Sequence, residues 1–279
     1  SDRLAVHSPP WILCRAPFIL RLMSGEDKHK ARIFLHRGDL QQARSCYEKA
    51  VRDDRGNGSG QELSDSLGNL GNVYAMMGAY AESEQCYREV LAIQRELQDV
   101  NAIGQTLANL GNVHAEAGRP EKARSYYLEA LDLLRPLPGQ RALGVLLSNI
   151  ALQDAAVGRN EDAIANFKQA LECHRAVGDE DGLAVTYSHL GKTFLRAGNT
   201  RNAEKCLNNA SEHFIKLGNE PGEAAVLRLL ADLYEQAGNE ESAVRCLERV
   251  VLVDARYGLL QYGQDNARLS GLLERRRKA

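Results

Sequence analysis

The sequence predicts an all-α fold, a solenoid of stacked antiparallel helix pairs. Three observations carry that expectation. Gly38, Gly78, Gly118, Gly158, Gly198 and Gly238 stand 40 residues apart without a slip. The stretch Asn69-Leu70-Gly71-Asn72-Val73-Tyr74 returns 40 residues later as Asn109-Leu110-Gly111-Asn112-Val113-His114. Apolar and small residues recur around each marker glycine at steps of three and four. A copy at a fixed spacing of about 20–50 residues marks a stacked repeat array, and steps of three and four trace one helix face.

Each half of the repeat is one helix. Eleven and eight residues before the marker stand Leu67 and Leu70, Leu107 and Leu110, Leu147 and Ile150, Tyr187 and Leu190, Leu227 and Leu230. At minus seven the residue is small, as in Ala31, Gly71, Gly111, Ala151, Gly191 and Ala231. After the marker, plus five is small again, from Ala43 to Ala243. Plus nine is large: Tyr47, Tyr87, Tyr127, Phe167, Leu207 and Leu247. The small residues let the two helices approach, and the large ones fill the gaps between them. The glycine itself suits a tight turn that needs a left-handed backbone. Neither helix buries its stripe alone, so neighbouring pairs must stack.

Written out, the pattern is large-x-x-Leu-Gly-x-x-Tyr, then Gly, then Ala-x-x-x-Phe/Tyr-x-x-Ala. It resembles the tetratricopeptide repeat over roughly residues 26–258. The period departs from the family's: 40 residues against about 34. Each helix then has about 17 residues and a length of about 25 Å. With the Leu-Gly-Asn-x-Tyr core, these longer repeats are similar to those of the LGN/Pins G-protein-signalling modulators. Rapsyn and the bacterial Rap-type peptide receptors are more distant look-alikes. The resemblance implies a right-handed superhelix with first helices lining a concave face and second helices a convex one.

In chain order, residues 1–25 do not fit the repeat and read as an extension, irregular or packed on the first repeat. The start at Ser1 rather than Met hints at a processed chain or a fragment. Residues 26–258 are six repeats. In the first, Asp27 and Lys30 replace core apolar residues, as expected of a terminal unit whose outer face meets water. Its second helix spans Asp39 to about Asp53, and Gly56-Asn57-Gly58-Ser59-Gly60 reads as a flexible connection. Repeats two and three are the clearest copies. Pro136-Leu137-Pro138-Gly139 stops the second helix of repeat three. Repeats four and five stop at Gly178 and Gly218, repeat six near Gly258. Residues 259–279 form a capping helix and basic tail, with Gly271 at the seventh small position.

The 44% apolar and 26% charged composition is that of a soluble globular chain. A formal net charge of −2 gives no reason to expect nucleic acid. No apolar run is long enough to span a membrane. Cys46, Cys86, Cys206 and Cys246 share one repeat position, eight after the marker. Stacked pairs hold such positions about 10 Å apart, beyond disulfide reach. They read as reduced, buried thiols and point to the cytoplasm. No metal-ligand spacing, nucleophile elbow or phosphate loop appears, so no cofactor, metal or catalytic residue is expected.

Candidate binding residues lie on first helices, off the core stripe. Minus nine gives Asn69, Asn109, Asn149 and His189; minus six gives Asn72, Asn112 and Lys192; minus two gives Arg196. Asparagine is a mediocre helix former, so five at two equivalent positions need a reason. One reason is a ladder of amides offered to the main chain of an extended peptide; the other is bridging between repeats. The LGN-like resemblance implies the first. His189, Lys192, Arg196 and Arg228 form a basic end suited to an acidic ligand segment. The chaperone-type carboxylate clamp fits poorly, since minus ten is Gly68, Ala108, Ser148, Ser188 and Arg228. The resulting expectation is a non-catalytic protein–protein interaction scaffold with a peptide in its concave groove. The alternative is a self-assembly module using the array ends or the convex face.

Overall fold

The computed structural model describes residues 26–137 and 139–278. The extension expected over 1–25 lies outside the described residues. The described residues hold thirteen helices and no strand. In order these are α1 (Glu26–His36), α2 (Leu40–Asn57), α3 (Gly60–Met76), α4 (Tyr80–Glu96), α5 (Val100–Glu116), α6 (Pro120–Leu134), α7 (Gln140–Ala156), α8 (Asn160–Ala176), α9 (Glu180–Arg196), α10 (Thr200–Lys216), α11 (Glu220–Gln236), α12 (Glu240–Tyr257) and α13 (Tyr262–Lys278). Odd-numbered helices up to α11 are the first helices of the repeats. The length of 17 residues recurs from α3 through α11, broken only by the shorter α6.

All six marker glycines are left-handed, with φ between 69° and 83°. Each closes a first helix in the same way. At α3 the Gly78 N–H donates to the Ala75 carbonyl at 3.0 Å, and the Ala79 N–H reaches back to Tyr74 at 2.9 Å. This double closure is the Schellman motif, and it satisfies carbonyls the helix end would otherwise orphan. The turns between repeats use the same left-handed stop, with Gly178, Gly218 and Gly258 in that role. Repeat two uses Gln98 instead, at φ 55°. A side chain there costs about 1–2 kcal/mol. Gln98→Gly is therefore expected to stabilise the chain by about 1 kcal/mol, after the entropy of the added glycine is deducted. Gly158→Ala, with open space around the new methyl, is expected to lose about 1–2 kcal/mol. Urea unfolding of the two variants checks both signs.

Minus seven is small because the paired ring lies against it. A Cβ on Gly111 would sit 2.4 Å from the Tyr127 ring, and one on Gly71 3.2 Å from Tyr87. The first inter-repeat junction differs from expectation. α2 runs on to Asn57, and Gly60 already belongs to α3. Ser59 and Glu62 form a capping box that starts α3, so only Gly58 and Ser59 remain between the helices. The Ser-x-x-Glu spacing outweighs the glycines there.

The chain divides into two compact units, one ending at Gly139 and the other beginning at Gln140. The uniform period does not announce that division. In the first unit, α1–α6 stack pair on pair around Ala31, Tyr47, Leu67, Leu70, Val73 and Val90. In the second, α7–α13 stack around Phe167, Leu183, Leu190, Phe194, Leu207 and Leu230. Here α7 also meets α9 directly, with Ser148 and Thr186 hydroxyls 3.1 Å apart. The first helices α7 and α9 thus lie side by side.

Sixteen residues after each marker the core changes character from repeat to repeat: Asp54, Gln94, Leu134, His174, Phe214 and Asp254. In repeat one Asp54 meets the buried Lys28 at 2.9 Å. In repeat two Gln94 accepts from Thr106 at 2.8 Å. His174 contacts Asp179 at 2.9 Å, wedged between Gly144 and Gly182, where a Cβ would strike its ring at 2.9 and 2.2 Å. α13 is also set differently from expectation. Its buried residues are Asp265 and Leu272, while Gly271 has no neighbour that an added Cβ would meet. α12 is one residue longer than α10, and the linker after it is one residue longer than those after α8 and α10, so the seventh small position does not fall on Gly271.

Candidate functional site

The structure separates the nine candidate residues into those with internal work and those without. Asn69, Asn72, Asn112 and Asn149 are only 3, 4, 9 and 7% exposed. Asn109 is half-buried. The amide oxygens of Asn72 and Asn112 accept from the hydroxyls of Tyr87 and Tyr127, the latter at 2.7 Å. Each bond joins the two helices of one repeat. This corrects the expectation that both amides offer their oxygens to a ligand. The physical reason is the buried tyrosine hydroxyl, which needs a partner.

The sequence carried a signal for this pairing. Asparagine stands at minus six only in repeats two and three, opposite Tyr87 and Tyr127. Repeats four to six have Phe167, Leu207 and Leu247 there, with Leu152, Lys192 and Asp232 opposite. Tyr127→Phe removes the hydroxyl bonded to the buried Asn112 amide oxygen, at an expected cost of about 1–3 kcal/mol. Tyr127→Phe with Asn112→Leu copies the apolar pair of repeat four and is expected to recover most of that loss. A double-mutant cycle by denaturant unfolding reads both.

Position minus nine looks back at the preceding repeat. His189 on α9 stacks on Phe167 of α8, with centroids 6.2 Å apart and planes within 10°. Burial, then the neighbouring Lys192 and Arg196, push the His189 imidazole down to about 3. Both effects disfavour the charged imidazole at this position.

Arg228 is also spoken for. It donates to Asp254 on α12 and, at 2.6 Å, to Asp265 on α13. Both aspartates are buried. Arg228 is therefore an internal counter-ion and not a group waiting for an acidic ligand. Lys28 holds the same repeat position and is likewise consumed by Asp54.

Lys192 and Arg196 remain. They lie one turn apart on α9, half-buried and exposed respectively. Among the described residues neither has an ion-pair partner. The C-terminal half of α9 therefore carries two cations one turn apart, Lys192 half-buried and Arg196 exposed.

Among the described residues, no group of three or more His, Cys, Asp or Glu is placed to hold a metal ion. Cys46, Cys86, Cys173, Cys206 and Cys246 are free thiols, and burial pushes Cys86 up to about 12 and Cys206 to about 11. No described helix is long and apolar enough to cross a membrane.

A search of curated protein sequences finds no match. The sequence profile of the tetratricopeptide repeat matches residues 27–96, 62–136, 142–210 and 183–251, most of the chain. The chain belongs to the tetratricopeptide repeat family. Solved structures of similar fold include BtubC (BKLC) from P. vanneervenii, 20% identical with a TM-score of 0.72. That likeness covers 79% of this tetratricopeptide repeat protein and 92% of BtubC. A signal-transduction ATPase with a tetratricopeptide repeat sensor from Pyrococcus horikoshii is 15% identical at a TM-score of 0.71, over 88% of this chain and 42% of that one. A Rap protein complexed with competence and sporulation factor is 13% identical at a TM-score of 0.62, over 91% and 77%. At these identities the likeness speaks for the fold.

Proposed function

We propose that this tetratricopeptide repeat protein is a non-catalytic cytoplasmic scaffold that holds an extended, acidic segment of a partner protein. The observation that carries this reading is the unpaired Lys192–Arg196 surface on α9, on the face lined by first helices. A carboxylate-bearing ligand would supply the counter-charge this face lacks. Asn109, the least buried of the five asparagines, is a second point of contact on its own unit, and nucleic acid and membrane are not partners. Partner binding is also what the Rap complex displays on a similar fold. The 40-residue period and Leu-Gly-Asn core support an LGN-like reading of the repeats.

Affinity capture from lysate tests it. The chain carrying Lys192→Glu and Arg196→Glu is expected to lose its principal captured protein by about tenfold, roughly 1.4 kcal/mol. Asn109→Ala alone is expected to cost only about 1 kcal/mol, one net hydrogen bond. Undiminished capture by the double charge reversal would remove the acidic-ligand reading.

A further inference from the structure

The last helix is attached to its unit differently from those before it. α13 meets α11 and α12 through a narrow apolar seam: Leu272, with Leu269 and Leu273, against Ala231, Val244 and Leu247. Around that seam the contacts are ionic and mostly of one polarity. Arg268 reaches Asp232 and Glu235, each at 2.6 Å. Arg275 reaches Glu240 at 3.1 Å. One contact is inverted, where Arg228 of α11 donates to Asp265 of α13 at 2.6 Å. The surface under α13 thus reads a helix by charge as well as by shape: a leucine seam, two flanking arginines and one acid. α13 is the helix that fits it.

The turn that leads into α13 has a second property. Gly258 is left-handed at φ 62°, and Leu259–Gln261 complete a short hinge. The hinge and its flanks carry the most exposed apolar group among the described residues. Leu260 is 76% exposed, with Leu252, Tyr257 and Tyr262 at 53, 49 and 41%. These four fall within the eleven residues 252–262. In a single chain Leu260 in particular is left largely uncovered.

We propose that α13 exchanges between two copies of this chain, each docking surface on α11–α12 taking the helix of the other copy. Exchange keeps every contact of the closed form, because the incoming helix is chemically identical. It also brings two opened hinges together, which gives Leu252, Tyr257, Leu260 and Tyr262 apolar surface to cover. The charge pattern excludes a helix lacking the two arginines and the aspartate.

Charge reversal tests this with the full chain. One variant carries R268E and R275E; the other carries D232R and E240R. Each reverses one side of the seam, so neither retains its own helix, and α13 amide exchange is expected to rise about tenfold in each alone. Circular dichroism checks that the other helices persist. Mixed in equal amounts, the two are expected to form a one-to-one heterodimer by light scattering, with α13 protection restored. All four substitutions in one chain are expected to restore protection as well. A mixture that stays monomeric while the fourfold variant regains protection overturns exchange. Unchanged α13 exchange in both single-sided variants overturns the ionic docking on which it stands. Should a variant lose more helix than α13 contains, sedimentation of the unmodified chain over rising concentration decides. A growing dimer population supports exchange, and a monomer throughout contradicts it.

Discussion

Replacing Arg228 by methionine is expected to cost about 3–5 kcal/mol, the usual loss when one partner of a buried ion pair is removed. The side chain is the counter-ion of two carboxylates on two other helices, Asp254 on α12 and Asp265 on α13. Asp254 is fully buried and Asp265 nearly so. One oxygen of Asp254 already lacks a hydrogen-bond partner among the described residues. Without the guanidinium, Asp254 would be desolvated and uncompensated, and Asp265 would keep only Arg268, at 3.6 Å. Adding Asp254→Asn to Arg228→Met removes one of the stranded charges and is expected to return part of the loss. Denaturant unfolding by circular dichroism measures both. A cost below about 1 kcal/mol, the size of an exposed pair, would mean that the triad is not closed in solution. A residue serving a ligand would instead change binding and leave stability nearly untouched.

Acid is expected to begin destabilising the chain above the carboxylate range. His114 and His174 are buried, and burial lowers both imidazoles despite the nearby Glu84 and Asp179. His189 is lowered further, to about 3, by burial and by Lys192 and Arg196. All three therefore bind protons more weakly folded than unfolded. Their contribution is fully present above the unfolded value of about 6.5 and is lost as pH falls from there toward the folded values. The proton that His189 takes up on unfolding gives by itself a slope approaching about 1.4 kcal/mol per pH unit near pH 5, and His114 and His174 add to it in the same direction. Glu62, Glu180 and Glu220 are lowered by their hydrogen bonds to Ser59, His213 and Arg256 respectively. Their contributions are present above the unfolded value and fade only as pH falls below it. The interval from 6.5 down to 5 thus belongs to the histidines. Melting temperature measured across that interval should drop steeply, and His189→Gln should flatten the curve. A melting temperature that holds level to pH 5 would contradict neutral, buried rings.

The helix pairs were legible because their causes are local and periodic. A glycine that must be left-handed, a small residue facing a ring and a stripe at steps of three and four all leave their mark at fixed offsets. The candidate site was legible only in part. Asn72 and Asn112 looked like a surface ladder because a regular row of amides has the same spacing whether it faces a groove or a neighbouring helix. What distinguishes the two is the hydroxyl opposite, and that partner lies 15 residues away on another helix. Arg228 resembles a free cation in the sequence for a similar reason, since its acids come from α12 and α13. The change of core chemistry from Gln94 to His174 to Asp254 was invisible, because one repeat position there takes a different partner at every junction. The division after Gly139 was likewise hidden behind a period that does not falter.

Lysine-directed crosslinking of the chain with a partner captured from lysate tests the binding face most directly. Lys192 projects from the first helix α9, whereas Lys168 and Lys205 stand exposed on the second helices α8 and α10 of the same unit. Partner crosslinks are expected at Lys192 and at acidic-rich stretches of the partner. Crosslinks gathered on Lys168 and Lys205, with Lys192 bare, would place the partner on the opposite face and contradict the account.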